Sequence, residues 1–360
     1  MEIVIDNIIF YLQKAGGIST VFAELDERLN DSAHEVCFIE REKPEANAMR
    51  RGLSLRNVIY KGRLPLSIGR YLSLKLNKRN PYIFCSSYYR YVRDKAAINC
   101  TVVHDFTYER YVGGLAAKVH HMQKKAAIKR SEGIICISEH TKRDLLHYFP
   151  FTAEKQIRVI YNGISNTFFP IDKTKFIIPE TLKDIASKKY ILFIGARQGY
   201  KNFDKVVDSL KLLPKEYDLV VIGGDFTEKE KTQIGSDMNR CILVKYPSQE
   251  NINTLYNYAY CLVYPSLYEG FGIPVGEAMR CGCPVICVNA SSIPEVAGDA
   301  VVMLDEVTPE RISEAVQYMD DMAVRDVLIQ KGFVQSAKFS WDKHYEEIEA
   351  FFHELMTKSK

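Results

Sequence analysis

Apolar positions along the chain fall into two alternating patterns. Short unbroken runs mark strands buried on both faces of a parallel sheet, and longer stretches with apolar residues every three or four positions mark the helices that cover it. In the first half the runs Ile3–Ile5, Glu35–Ile39, Tyr82–Cys85, Thr101–Val103 and Gly133–Ile137 predict strands. In the second half Tyr190–Ile194, Leu219–Ile222, Ile242–Val244, Cys261–Tyr264 and Val285–Cys287 do the same. Each is followed by Gly, Ser, Asn or Asp and then a helix-period stretch, which is the signature of repeated βαβ units. Ser138 suits the N-cap of a helix Glu139–Tyr148, with Thr141 a weaker alternative. Near the end, Tyr345, Ile348, Phe351, Phe352 and Leu355 recur at helical spacing and predict an amphipathic helix from Trp341.

The pattern breaks once. After Val159-Ile160-Tyr161-Asn162-Gly163 comes an irregular stretch with Pro170 and Pro179, and strands resume at Tyr190. A chain of 360 residues is too long for one ordinary core and fits two α/β domains of roughly 150–200 residues each. The predicted division is 1–168 and 169–341. Charge supports it: residues 1–165 carry 26 Lys+Arg against 17 Asp+Glu, a net of +9, and the remainder carries 22 against 28, a net of −6. The basic half suggests an anionic partner on the N-terminal side.

Composition excludes several classes. With 47% apolar and 26% charged residues the chain is ordinary globular protein. No apolar stretch approaches the ~20 residues that span a bilayer. Met1-Glu2-Ile3-Val4 starts directly on a strand-like run without a signal-peptide pattern, so a cytoplasmic location is expected. Nine scattered cysteines, several within apolar runs, read as reduced buried thiols. Cys281-Gly282-Cys283 lacks zinc-type spacing and a second ligand pair.

Four segments carry candidate chemistry. The most informative runs from Pro265 through Glu269-Gly270-Phe271-Gly272-Ile273-Pro274 to Glu277. A buried strand ends, a glycine-punctuated loop follows, and Pro274 suits the first turn of a helix. Glycines let backbone N–H groups approach a ligand, and the helix N-terminus favours an anion. Both glutamates can face one crevice at the carboxyl ends of the strands, although acidic residues near a helix start are also favourable without any ligand. The second segment, Gly195-Ala196-Arg197-Gln198-Gly199-Tyr200-Lys201-Asn202, follows the strand at 190–194. Two cations four residues apart there suit a diphosphate clamp, Arg as a planar fork and Lys as a point charge. An arbitrary pair of cations is more often solvated surface. The third is Lys14-Ala15-Gly16-Gly17-Ile18-Ser19, a glycine turn before the helix Thr20–Leu29 that lacks the full Gly-x-Gly-x-x-Gly pattern of a dinucleotide site. The fourth places His104 at the end of an apolar strand. No Asp-x-Asp occurs, so the carboxylates that commonly hold Mg²⁺ or Mn²⁺ on a diphosphate are missing.

Together these segments resemble retaining glycosyltransferase family 4, of the GT-B fold, and in particular bacterial O-antigen and capsule mannosyltransferase-like enzymes. The family's Glu-x7-Glu pattern matches Glu269 through Glu277, beginning with Glu-Gly-Phe-Gly. The stretches Gly282-Cys283-Pro284-Val285-Ile286 and Ile293 through Ala300, Tyr161-Asn162-Gly163 and the Arg197/Lys201 pair also match. Many members have Gly-Arg and Lys-Gly where this chain has Ala196-Arg197 and Lys201-Asn202. The resemblance covers nearly the whole chain, least at residues 40–80. It implies two Rossmann-like domains facing a central cleft, with a helix at about 342–360 packing back onto the N-terminal, acceptor-side domain. It implies that Glu277 binds ribose hydroxyls and that Gly270, Phe271, Gly272 and Ile273 bind the donor, with Glu269 beside its sugar. Arg197 and Lys201 would stabilise the diphosphate, Gly16 and Gly17 would close on it, His104 would line the sugar pocket, and Tyr246 and Ser248 would lie near the base.

The expected activity is transfer of a hexose from a nucleotide-diphosphate sugar, GDP-mannose first and UDP-hexoses next, to a hydroxyl of a glycan or lipid-linked glycan, without a metal or other cofactor. Front-face attack is favoured over a double displacement through Glu269. Alternatives are a nucleotide-sugar epimerase of the same fold and a non-catalytic nucleotide-sugar-binding subunit. A basic, leucine-bearing segment from Arg63 to Arg79 and the basic stretch Lys118–Arg130 suit peripheral contact with an anionic membrane as well as they suit a solvated face. No nucleic-acid motif accompanies Tyr88, Tyr89 and Tyr91.

Overall fold

The computed structural model describes residues 1–42, 47–62, 64–197 and 199–358. It contains two compact units, Met1–Gly163 with Trp341–Lys360, and Ile164–Ser340. In the first, the strands β1 (Glu2–Asp6), β2 (Glu35–Glu40), β3 (Val58–Tyr60), β4 (Tyr82–Ser86), β5 (Ala97–Val103), β6 (Gly133–Cys136) and β7 (Gln156–Val159) form one sheet in the order β3-β2-β1-β4-β5-β6-β7. In the second, β8 (Lys189–Ile194), β9 (Tyr217–Ile222), β10 (Cys241–Val244), β11 (Cys261–Tyr264), β12 (Val285–Val288) and β13 (Val302–Leu304) run β10-β9-β8-β11-β12-β13. Every neighbouring pair in both sheets is parallel. These are Rossmann-like sheets.

Central strands form where both faces are covered. All residues of β4 and β5 are buried. β4 reads as an apolar run up to Ser86, whereas the buried polar Asn99 and Thr101 interrupt β5, so the apolar pattern marks only its end. In the second unit, Ile191, Phe193, Leu219 and Val221 of the sheet pack with Val206 and Leu210 of the helix Phe203–Leu212 in one core cluster. Each such side chain, fully withdrawn from water, contributes roughly 1.5–3 kcal/mol. Ser138 caps Glu139–Tyr148 by accepting from the Thr141 N–H at 3.0 Å. The N-terminal helix begins at Gly17, three residues earlier than the pattern indicates, and runs to Asp31.

The terminal helix Trp341–Lys358 belongs to the first unit. Its Phe351 and Leu355 lie so close to β6 that a Cβ on Gly133 would meet Leu355 Cδ1 at 2.5 Å. His344 Nδ1 lies 2.8 Å from the Tyr161 carbonyl, and Arg158 pairs with Glu354 at 2.7 Å. All nine cysteines are buried free thiols.

The strand order decides where a ligand can go. In each sheet the chain builds outward on one side of its first strand and then crosses to the other side, so a crevice opens between the two diverging connections. That point lies beside β1 and β4 in the first unit and beside β8 and β11 in the second.

Candidate active site

The loops after β8 and β11 are joined at this crevice. Lys201 reaches Glu269 Oε1 in an ion pair whose side chains are only 13% and 14% exposed. The Tyr264 hydroxyl, at the end of β11, donates to the same carboxylate oxygen at 2.6 Å. Backbone geometry holds the two loops together. Asn202 adopts the left-handed conformation (φ +51°) and donates from Nδ2 to the Pro265 carbonyl at 2.8 Å, while the Leu267 N–H donates to the Tyr200 carbonyl at 2.9 Å. On the far side, the Glu269 N–H donates to Ser291 Oγ at 2.8 Å, and Ser292 Oγ donates to the carbonyls of Glu269 and Phe271 at 2.9 and 3.0 Å. Phe271 is buried edge-on against Phe339. The helix Ile273–Arg280 then starts from Gly272, whose φ of +103° only glycine adopts without strain. The loop carrying Glu269 is therefore fixed at several points, as a residue that must hold position requires.

Arg197, on the same loop as Lys201, is engaged elsewhere. Its Nε donates to Glu230 Oε1 at 2.7 Å and its Nη2 to the Asp225 carbonyl at 2.6 Å, with the guanidinium over the Phe226 ring. Glu230 also closes a capping box with Thr227 at the start of the helix Glu228–Ile234.

Glu277 lies one turn into its helix and accepts from the buried Tyr256 hydroxyl at 3.0 Å. Loss of water raises its carboxyl to about 7 against the opposing Tyr256 hydrogen bond. Part of its surface remains open, so solvent moderates that effect. Tyr246 is 84% exposed with φ +47°, and Ser248 caps the helix Gln249–Tyr258 by accepting from the Asn251 N–H. Both line a hollow of about 360 Å³ with Leu182, Ile185 and Asn251, to which Arg197, Glu269 and Glu277 do not contribute. The structure thus brings Lys201 and Glu269 together, while Tyr246 and Ser248 line a hollow that these two do not line.

In the first unit, Gly16 precedes the helix Gly17–Asp31, and a Cβ on Gly17 would meet nothing within 4 Å among the described residues. That open helix N-terminus, with no acidic residue in its first turn, suits a phosphate. At the neighbouring strand ends, Ser86 Oγ donates to Asp6 Oδ2 at 2.8 Å, and Arg90 pairs with the same oxygen at 3.3 Å. His104 is buried, with Nε2 lacking a partner among the described residues. Burial lowers its imidazole to about 4, so it is neutral at pH 7.

Arg63, the first cation of the basic segment, lies outside the described residues. Leu64, Ile68, Tyr71 and Leu72 are exposed there, as are Leu115 and Met122 on the helix Gly114–Arg130. Lys124 is not a surface cation: it is buried and bonded to Glu109 at 2.8 Å and to the Asp105 carbonyl at 2.9 Å. No helix among the described residues is long and apolar enough to cross a membrane.

Sequence reasoning missed Tyr264, Tyr256, Glu230, Ser291 and Ser292. Only Glu230 left a local signal, the Thr-x-x-Glu spacing of a capping box. The others act across gaps of up to 23 residues that spacing does not expose.

Residues 175–332 match the family model described as glycosyl transferases group 1, and residues 15–168 the one described as glycosyltransferase family 4. O-antigen chain mannosyltransferase B of Escherichia coli is 28% identical over 236 residues, 62% of this chain and 62% of that protein. O-antigen chain mannosyltransferase RfbU of Salmonella typhimurium is 26% identical over 226 residues, 61% of this chain and 60% of that protein. These matches therefore span less than two thirds of the curated relatives' length. HepE of Anabaena, solved in complex with UDP and glucose, superimposes with a TM-score of 0.75 at 12% identity, covering 98% of this chain and 100% of that one. At that identity the likeness speaks for the fold. With a family model matched in each half and two parallel Rossmann-like sheets, the chain belongs to glycosyltransferase family 4 and has the GT-B fold.

Proposed function

We propose that the chain is a retaining hexosyltransferase. It takes a hexose from a nucleotide-diphosphate sugar and places it on a hydroxyl of a glycan, lipid-linked, during assembly of a bacterial surface polysaccharide. The observation that carries this reading is the convergence of Lys201, Glu269 and Tyr264 where β8 and β11 diverge, with Arg197 on the same loop. GDP-mannose is the first candidate donor, because the relatives are O-antigen mannosyltransferases. UDP-hexoses come next, because HepE was solved with UDP and glucose.

In this reading the acceptor oxygen bonds to the anomeric carbon on the face from which the diphosphate leaves. The anomeric carbon–phosphate oxygen bond breaks, and the departing oxygen takes the hydroxyl proton. Arg197 and Lys201 neutralise the charge that develops there, and no metal is needed. Glu269 holds sugar hydroxyls and is not a nucleophile, since one of its oxygens already serves Lys201 and Tyr264. Glu277 binds ribose, and the backbone from Gly270 to Ile273 lies along the donor. We assign Gly16 and Gly17 to phosphate, His104 to sugar hydroxyls, and Tyr246 and Ser248 to the base end of the nucleotide. The exposed apolar and basic face of the first unit would rest on an anionic bilayer.

The test is a panel of nucleotide sugars with a polysaccharide-repeat acceptor, the product read by NMR. An α-linked product from an α-linked donor, formed equally well in EDTA, is expected. An inverted product, or transfer only with added Mg²⁺ or Mn²⁺, contradicts the reading. Co-flotation with anionic vesicles at low salt tests the membrane contact, and its absence removes that part.

A further inference from the structure

His34 sits in the short connection between the helix Gly17–Asp31 and β2. Its Nε2 lies 2.6 Å from Glu349 Oε1 on the terminal helix Trp341–Lys358. His353 follows Glu349 by four residues, one helical turn, so both project from the same face. The rings of His34 and His353 lie 5.6 Å apart at 64°. One ligand atom from each of the three side chains falls within 4.8 Å of the others, and this is the one such group of His, Cys, Asp or Glu among the described residues.

We propose that His34, Glu349 and His353 bind a divalent transition-metal ion of the zinc class. The ion would clamp the terminal helix to the rest of the first unit, with no part in sugar transfer. Two imidazoles and a carboxylate are the donor set that zinc takes when three protein ligands leave a fourth position to water. Ligand atoms around a tetrahedral zinc stand roughly 3.3 Å apart, given bond lengths of about 2.0–2.1 Å. The 2.6 Å contact must therefore open and the wider gaps must close, both by side-chain rotation, because the backbone already brings all three to one spot. The supporting groups are in place. The Tyr345 hydroxyl donates to Glu349 Oε1 at 3.0 Å, and the backbone N–H of His34 donates to Ser32 Oγ at 3.3 Å, which fixes the turn that carries the imidazole. Such outer contacts hold ligands in orientation. His353 is exposed, which gives a metal its entry path. A plain His34–Glu349 ion pair explains the shortest contact, but it gives no reason for His353 to stand over the same point.

The ion would act on stability. Its ligands come from residue 34 and from residues 349 and 353, so it ties together two segments far apart in sequence and resists release of the terminal helix.

The test uses the full chain stripped with a chelator. Zinc titration by calorimetry, with Co²⁺ as a spectroscopic stand-in, should show one saturable equivalent and the strong visible bands of a four-coordinate site. Zinc at a hundredfold excess over its Kd should raise the thermal midpoint by roughly 5 °C. His34→Ala and His353→Ala should each weaken binding at least tenfold and abolish the shift, while Tyr345→Phe weakens it less. His353 is exposed, so its loss leaves the fold intact. Unchanged zinc affinity in His353→Ala, binding removed only by blocking thiols, or a Co²⁺ spectrum of purely octahedral type would overturn the site.

Discussion

The two units place their candidate groups at equivalent points of similar sheets, yet they hold them differently. In the second unit the charged groups already satisfy one another: Lys201 is paired with Glu269, and Arg197 with Glu230. In the first unit the groups have unused capacity. Among the described residues, a Cβ on Gly17 would meet nothing within 4 Å and His104 Nε2 has no hydrogen-bond partner. A phosphate reaching the first unit displaces nothing. A diphosphate reaching the second must draw Arg197 and Lys201 away from carboxylates. In the proposed reading, the ion pairs hold the two cations in place when no donor is bound, and donor binding is an exchange of partners.

The largest expected effect is on Glu269. Changing it to Ala leaves the shielded Lys201 ammonium without its carboxylate, which costs the second unit about 2 kcal/mol, and lowers kcat by roughly a hundredfold. Thermal unfolding and initial rates read both, and a variant with unchanged midpoint and rate breaks the comparison at its strongest point. Next comes Glu277, raised to about 7 from an ordinary value of 4.5. Because the folded state prefers the neutral form, the wild type is relatively most stable below 4.5 and loses stability as pH rises through 7. Glu277→Gln should therefore be more stable than wild type at pH 8 by about 2 kcal/mol, allowing for partial exposure, with the difference vanishing near pH 4. Denaturant titrations at both pH values measure this, and a pH-independent difference would refute it.

Glu230→Gln sharpens the partner-exchange idea. With its competitor neutralised, Arg197 should bind a nucleoside diphosphate about fivefold more tightly, a coupling of roughly 1 kcal/mol. Isothermal titration showing equal or weaker binding means that Arg197 stays with Glu230 throughout. The smallest effect on the fold belongs to Gly17→Ala, where the new methyl meets nothing and stability should shift by under about 0.5 kcal/mol. Nucleotide affinity should still fall, since the methyl occupies the space a phosphate would enter, and unchanged affinity would remove Gly17 from the site.

The interior of the fold was legible and its rims mostly were not: of the four edge strands only β10, an apolar run from Cys241 to Val244, left a readable pattern. Strands covered on both faces, such as β4 and β11, left continuous apolar runs that marked them within a residue or a few. The strands absent from the sequence reading, β3, β7 and β13, all lie at sheet edges with partly buried residues. An edge strand covered on one side need not be apolar, so periodicity cannot separate it from a loop. The candidate site divides in the same way. The glycine-punctuated loop from Glu269 and the Arg197/Lys201 pair stood out because glycine, proline and charge are conspicuous next to apolar strands. Tyr264 and Tyr256 did not, because a tyrosine ending a buried strand or facing a core looks like packing until its hydroxyl finds a carboxylate. The pairing of Arg197 with Glu230 is equally invisible, since it joins the loop after β8 to the first turn of the helix after β9, which only the sheet brings together.

The central claim is that Arg197 and Lys201 carry the charge of the leaving diphosphate. Steady-state kinetics of Arg197→Ala and Lys201→Ala with saturating nucleotide sugar test it most directly. Each variant should retain its fold and lose more than tenfold in kcat, as expected when a donor that stabilises developing charge is removed. Near-wild-type turnover in either one would contradict the account.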